Sequence, residues 1–318
     1  MGLSKVFIIG LAVLSQSVFS AEVDQYSRRD EPLKDSAEIV NAKANASIIK
    51  SIQEANAKGQ GCKEEVLYKA LRGHFANHLS GELIIDILKD PNVEKRIIGL
   101  DDSVYQDWTV WDGIGMGFTI FAKKGITMSG VMRIGDQTIG TDKLEHMFGQ
   151  GFNYFTKNYL DEKGEIKAVK KGIIGEKFFL GGNKIGNGVF SYGDLGANFN
   201  GMRMWNHMLQ LRDDVLGVDH NIGPYIACQN DQWAQVKEID FRNYIDDSMD
   251  EAINCSKFPT QKTADKFKAR LEKMGTTCPV DQRRLDDMVV KYRQMAKWMI
   301  NTDGIGKVKY TGEFKNKK

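Results

Sequence analysis

Four stretches of this chain carry residues whose types and spacing suit chemistry. His74, His78 and Glu82 fall at i, i+4 and i+8, so a continuous helix stacks them along one face. Imidazoles one turn apart grip a zinc-sized ion, and a carboxylate one turn on joins them. The plain alternative is that the same stripe begins with Leu67 and Leu71, so the histidines border the core. Asp142, Glu145 and His146 open a second helix after a glycine-rich stretch. A carboxylate and an imidazole one turn apart share a metal, or the acid orients the base. This gives His74, His78, His146 and Asp142 as expected metal ligands, zinc as the expected ion, and Glu145, His146 or Glu82 as the expected acid–base group. A capping box, with Asp142 at the N-cap and Glu145 three residues on, explains those two acids by helix initiation alone. It leaves His146 to carry the chemistry.

Ser191 to Asn198 opens a third helix, with Asp194 as its expected cap and Asn198 one turn on. Gly196, Ala197 and Gly201 predict close helix approach, while Asp194 and Asn198 would form the polar floor of a substrate pocket. Tyr105, Trp108 and Trp111 stand among Asp101, Asp102, Asp107 and Asp112. Aromatics flanked by acids suit sugar stacking beside a proton donor. The alternative is a buried aromatic edge. Other motifs fail on inspection. Gly113-Ile114-Gly115-Met116-Gly117-Phe118 lacks the third glycine of a dinucleotide fingerprint, and Thr141 stands where a phosphate-binding lysine is required.

The elements that must position these residues are mostly helical. Residues 1–20 read as a signal peptide, with Lys5 as its charge, Val6 to Val13 as its apolar run and a cut after Ser20. The run is too short to span a bilayer. Residues 21–34 lack a period and read as a flexible leader. Helical spacing predicts helices over 35–57, 63–79, 82–90, 142–159, 194–211, 244–254, 263–274 and 281–300, with Asp281 capping the last. Residues 95–140 hold short strand-like runs, with Gly135-Asp136 as a turn. The expected fold is mainly α, a multi-helix globular domain with a small β insert at about 95–140. That main domain covers 35–220, a helical subdomain covers 221–302, and 303–318 is a basic tail.

Charge and cysteines narrow the function. Removing Lys5 takes Lys+Arg from 44 to 43 against 42 acids, a net of +1. A nucleic-acid binder carries a clear basic excess, which is missing here. Only Lys307, Lys309, Lys315, Lys317 and Lys318 make a visibly basic segment, and they read as a frayed terminus. Cys62, Cys228, Cys255 and Cys278 lie beyond the expected cut, and an even count in an exported chain predicts disulfides. Three pairings exist. Cys255 and Cys278 flank a predicted helix, so they are expected to pair and leave Cys62 to Cys228.

The segments Thr141-Asp142-Lys143-Leu144-Glu145-His146, Ser191 to Asn198 and Asp250-Glu251-Ala252-Ile253-Asn254-Cys255 resemble a family of exported bacterial proteins with no established reaction. The resemblance covers most of residues 60–290 and implies that the three segments belong to one shared site or core. The Asp-Lys-x-x-His core is also similar to a motif of multi-spanning membrane proteins of the teicoplanin-resistance type, from which nothing transfers. Two functional readings follow for a periplasmic or secreted protein. One is an envelope-directed hydrolase of cell wall or lipid. The other is a non-catalytic envelope protein that packs or binds a partner.

Overall fold

The computed structural model describes residues 22–75, 81–109, 111–113, 128–160, 164–176 and 187–308. The expected architecture holds: a mainly α domain with two small antiparallel hairpins. In chain order the helices are α1 (Ala37–Ala57), α2 (Glu64–Phe75) and α3 (Glu82–Lys89), then α4 (Thr141–Phe148), α5 (Gln150–Phe155), α6 (Glu165–Gly175) and α7 (Tyr192–Leu209). The last three are α8 (Gln261–Lys273), α9 (Gln282–Tyr292) and α10 (Ala296–Met299). Strands β1 (Val131–Ile134) and β2 (Gln137–Gly140) form one hairpin, and β3 (Ile226–Gln229) and β4 (Gln232–Gln235) the other.

Helix α7 is the axis of the fold. Every residue from Gly193 to Met208 is buried, as expected of a helix packed on all sides. Its polar members survive burial because each has a partner. Asn200 Nδ2 donates to Gly196 O at 3.1 Å, Arg203 Nε to Asp214 Oδ2 at 2.9 Å, and His207 Nδ1 lies 2.9 Å from the Tyr244 hydroxyl. Small residues let α4 and α5 lie close against it. A Cβ on Gly201 would stand 2.3 Å from Met147 O, and one on Gly151 would stand 2.6 Å from Gly201 Cα.

Several boundaries differ from the sequence expectation, each for a local reason. The helix expected over 142–159 breaks at Gly149 into α4 and α5 and ends in a π-helical turn at Thr156–Leu160. The helix expected over 244–254 is replaced by 3₁₀ turns at Phe241–Asn243 and Asp247–Met249. Asp240 accepts from Arg242 N and Asp246 from Ser248 N, and such local bonds compete with a helical ladder. The β3–β4 hairpin was not foreseen. Its turn residues Asn230 and Asp231 both have positive φ, as a two-residue hairpin loop demands.

The segment read as a flexible leader is packed. Val23, Tyr26 and Leu33 are buried, Gln25 donates to Thr138 O at 2.9 Å, and Arg29 pairs with Asp250 at 2.6 Å. The basic tail is anchored as far as Val308, whose N–H donates to Phe258 O at 2.8 Å. The part after residue 220 shares the main core, since Tyr225, Tyr244, Tyr292 and Trp298 join the cluster that holds Leu67, Phe148 and Trp205. Both expected disulfides are present. Cys62–Cys228 ties the α1–α2 connection to β3, and Cys255–Cys278 closes over α8. The expected signal peptide, His78, residues 110 and 114–127 of the stretch expected to hold strands, and residues 309–318 lie outside the described residues.

The close approach at α7 makes a testable contrast between two glycines. Gly201→Ala drives a methyl into the Met147 carbonyl and is expected to cost about 1–3 kcal/mol. Gly73→Ala, in α2 with no atom of the described residues within 4 Å of the added carbon, is expected to gain about 0.5–1 kcal/mol. Urea unfolding midpoints of the two variants check both signs.

Candidate functional site

The three segments singled out in the sequence meet at one point inside the molecule. β2 runs directly into α4, placing Asp142 and Lys143 on its first turn and His146 one turn later. Ser191 caps α7 by accepting from Asp194 N at 3.0 Å, which turns Asp194 toward α4. Glu251 arrives on the turn after Asp247–Met249, its N–H held by Gln25 Oε1 at 2.8 Å. Close packing at Gly193 permits this, because a Cβ there would stand 3.0 Å from both Lys143 Cε and Glu251 Cγ.

Lys143 is the hub. Its Nζ donates to Asp142 Oδ2 at 2.7 Å, Asp194 Oδ1 at 2.6 Å and Glu251 Oε1 at 2.6 Å. An ammonium has three N–H bonds, and all three are used. The side chain is 1% exposed. A second layer holds the carboxylates. Ser191 Oγ donates to Glu251 Oε1 at 2.7 Å, and Ser256 Oγ to Oε2 at 3.1 Å. His146 Nε2 lies 3.1 Å from Asp194 Oδ2, and His146 Nδ1 lies 3.0 Å from Asn198 Oδ1.

The electrostatics follow from burial and neighbours together. Burial alone would pull the Lys143 ammonium down, but Asp142, Asp194 and Glu251 outweigh it and hold it well above the usual lysine value. Asp194 also resists burial, and His146 and Lys143 hold its carboxyl below the ordinary range. Asp142 goes the other way. Burial, with Asp194 and Glu251 nearby, raises it from 3.8 to about 6 against the pull of Lys143. Two further buried acids, Glu22 and Glu176, are pushed well up by burial and by the negative charge of the cluster. Asn187 Nδ2 donates to Glu22 Oε1 at 3.1 Å. Among the described residues, Asp142 Oδ1 and Glu176 Oε2 have no hydrogen-bond partner.

The capping roles expected for Asp142 and Asp194 are not found. Gly140 precedes α4 without a side-chain cap, because Asp142 turns to Lys143 instead, and Ser191 caps α7. Glu145 lies on the partly exposed side of α4. The zinc set does not assemble among the described residues. Both nitrogens of His74 face carboxylates, Glu54 at 2.8 Å and Glu82 at 3.3 Å, and both nitrogens of His146 are engaged elsewhere. Glu82 sits at the surface within 3.7 Å of Lys50. Of the aromatic trio, Tyr105 and Trp108 are buried and stack edge to face with ring centroids 5.0 Å apart, while Trp111 is 81% exposed. The first two therefore offer no stacking face to a sugar.

Among the described residues, one group has metal-ligand spacing: Asp142, Asp194 and Glu251, with ligand atoms within 4.8 Å of one another. Lys143 Nζ already stands among those oxygens, so an ion there would have to displace a fully bonded ammonium. An all-carboxylate set also suits hard cations better than zinc. Comparison with known protein families, characterised proteins and solved structures finds no match for this chain. Among the described residues no helix is long and apolar enough to cross a membrane.

Sequence reasoning passed over Lys143, Glu251, Ser191, Glu176 and Glu22 as site residues. A lysine reads as a surface residue, and Glu22 fell in the supposed leader. The available signal was that each of the three resembling segments brings at least one acid, while one of them also brings a lysine.

Removing Lys143 leaves buried carboxylates without their cation. Lys143→Met is expected to lose about 3–5 kcal/mol near neutral pH and to recover part of it in acid as the carboxyls protonate. Asp142 provides a signed pH test. Its folded-state value lies above the ordinary one, so the folded protein holds the extra proton and stability falls as pH rises from about 3.8 to about 6. Asp142→Asn removes that fall, which denaturant titrations at several pH values across the window read directly.

Proposed function

We propose that the protein is an exported hydrolase acting on envelope material, cell-wall polymer or lipid, with Asp142 as the acid–base carboxyl of the Lys143 centre. The observation that carries this reading is Asp142 itself. One oxygen is fixed by Lys143, the other has no hydrogen-bond partner among the described residues, and burial poises the group at about 6. A carboxyl tuned toward neutrality is what proton transfer near pH 7 requires. Displaced titrations of this kind concentrate at working sites. Lys143 serves as a fixed positive charge rather than a nucleophile, since its neighbours keep it protonated. His146, engaged on both sides, orients Asp194. Glu176 and Glu22 are further buried acids of the surroundings, both pushed well up by burial.

Export to the periplasm rests on the apolar N-terminal run with its cut after Ser20, and the two disulfides fit an oxidising compartment. Zinc has no role in this reading, because Lys143 supplies the charge a metal would bring. Stoichiometric metal in protein purified without chelator would overturn that assignment.

A second reading keeps the centre but gives it no substrate. Lys143, Asp142, Asp194, His146 and Glu251 are all buried, which suits an ionic clasp that pins α4, α7 and the 251 turn in a non-catalytic envelope protein.

One experiment separates the two. Purified protein is incubated with isolated cell-wall sacculi and with phospholipid vesicles, and released products are followed by mass spectrometry. The hydrolase reading expects turnover that rises with pH through about 6 and falls about 10²- to 10⁴-fold in Asp142→Asn. Absence of turnover on every envelope substrate, with Asp142→Asn indistinguishable from the parent in cells, leaves the clasp.

A further inference from the structure

Helix α6 presents two unlike faces. Ala168, Val169 and Ile173 are buried in the core, and Gly172 packs against the Tyr154 ring. The opposite face carries Lys167, Lys170, Lys171 and Ile174, spaced by three and four residues, so all four project from one side. The lysines are exposed, and Ile174 is 51% exposed. No acid stands between Ile166 and Gly175. Lys157, on the π turn before α6, closes a shallow hollow of about 180 Å³ whose floor is Ala168, the lysine stems and Ile174. The patch continues onto α10. Lys170 Nζ lies 4.8 Å and Lys297 Nζ 5.5 Å from the centroid of the same Trp298 ring.

We propose that this face of α6 docks the protein on a membrane surface rich in anionic phospholipid. Three exposed lysines with an exposed isoleucine at the C-terminal end of their row match such a surface in both layers. The ammonium groups meet the phosphates, and the isoleucine side chain enters the boundary beneath them. Long lysine stems allow this, since they lie along apolar surface while the heads stay at the headgroup level. The hollow is smaller than the roughly 300 Å³ at which small-molecule pockets begin, so the feature is a surface rather than a ligand cavity. The concentration of charge is local. The whole chain carries only +2, and general basicity would not produce it. An acidic protein partner is the competing occupant, but this shallow hollow of about 180 Å³ suits a flat headgroup layer better than the deep pockets that hold a protein partner's anchor side chains. This inference is independent of the acid–base reading of the Lys143 centre.

Vesicle flotation tests it, with the parent and all variants carrying the same N-terminus and intact disulfides. The parent is expected to float with vesicles of phosphatidylglycerol and phosphatidylcholine in equal parts, to stay behind with phosphatidylcholine alone, and to release as salt rises. The triple variant Lys167→Gln, Lys170→Gln, Lys171→Gln is expected to bind about a hundredfold more weakly. Ile174→Ser weakens binding at constant charge and provides a second reading if the triple variant unfolds. A control that removes three exposed lysines from α8 (Lys262→Gln, Lys268→Gln, Lys273→Gln) leaves binding intact. The proposal is overturned if the parent ignores phosphatidylglycerol, if the α6 variants bind as the parent does, or if the α8 control loses as much. It is also overturned if the lysines prove to capture an acidic protein while vesicles are ignored.

Discussion

A fully bonded ammonium in the interior organises this molecule. Lys143 gives one N–H to each of three carboxylates that come from sequence-distant segments. Burying either sign alone costs several kcal/mol, so neither the lysine nor the acids tolerate the interior without the other. That mutual dependence fixes the relative position of α4, of the α7 N-terminus and of the turn at 251. Ser191 and Ser256 then fix the Glu251 carboxylate, and His146 with Asn198 fixes the outer side of Asp194.

The close packing of α7 serves the same centre. Gly193 and Gly196 admit the 248–251 turn, and Gly201 admits Met147 of α4. With side chains at those positions the helices would separate, and the Lys143 contacts of 2.6–2.7 Å would be lost. The N-terminal segment belongs to this assembly as well. Gln25 bridges Thr138 O and Glu251 N, Tyr26 donates to Glu251 O, and Arg29 pairs with Asp250. The segment nearest the expected cleavage point is therefore part of the wall around the buried charges.

Negative charge exceeds positive at the centre, and the acids share the imbalance unequally. Asp194, with His146 and Lys143 beside it, is held below the ordinary carboxyl range against burial; burial and the neighbouring acids push Glu22 and Glu176 well above it; burial raises Asp142 to about 6. Neighbouring carboxyls are thus pushed apart by unequal environments, burial raising some and cations lowering another.

Much of this was legible in the chain itself. The apolar periods located α1 to α5 and α7 to α9 but missed α6, which lies in a lysine-rich, glycine-punctuated stretch; Asp281 was readable as a cap and Gly135-Asp136 as a turn, and cysteine positions around α8 gave the disulfide pairing. Those features depend on residues within a few turns of one another, where spacing alone sets geometry. Asp142, His146, Asp194 and Asn198 were also legible as one polar set. What they do was not. Whether Asp142 caps a helix or pairs with a lysine depends on Glu251 and Asp194, which lie 109 and 52 positions further along. Tertiary structure alone decided that Lys143 points inward, that the 22–34 segment packs, that the 244–254 stretch yields its helix to aspartate side chains, and that His74 and His146 serve different acids. Each of these outcomes turns on which distant group reaches a given charge first, and a sequence states neighbours along the chain, not neighbours in space.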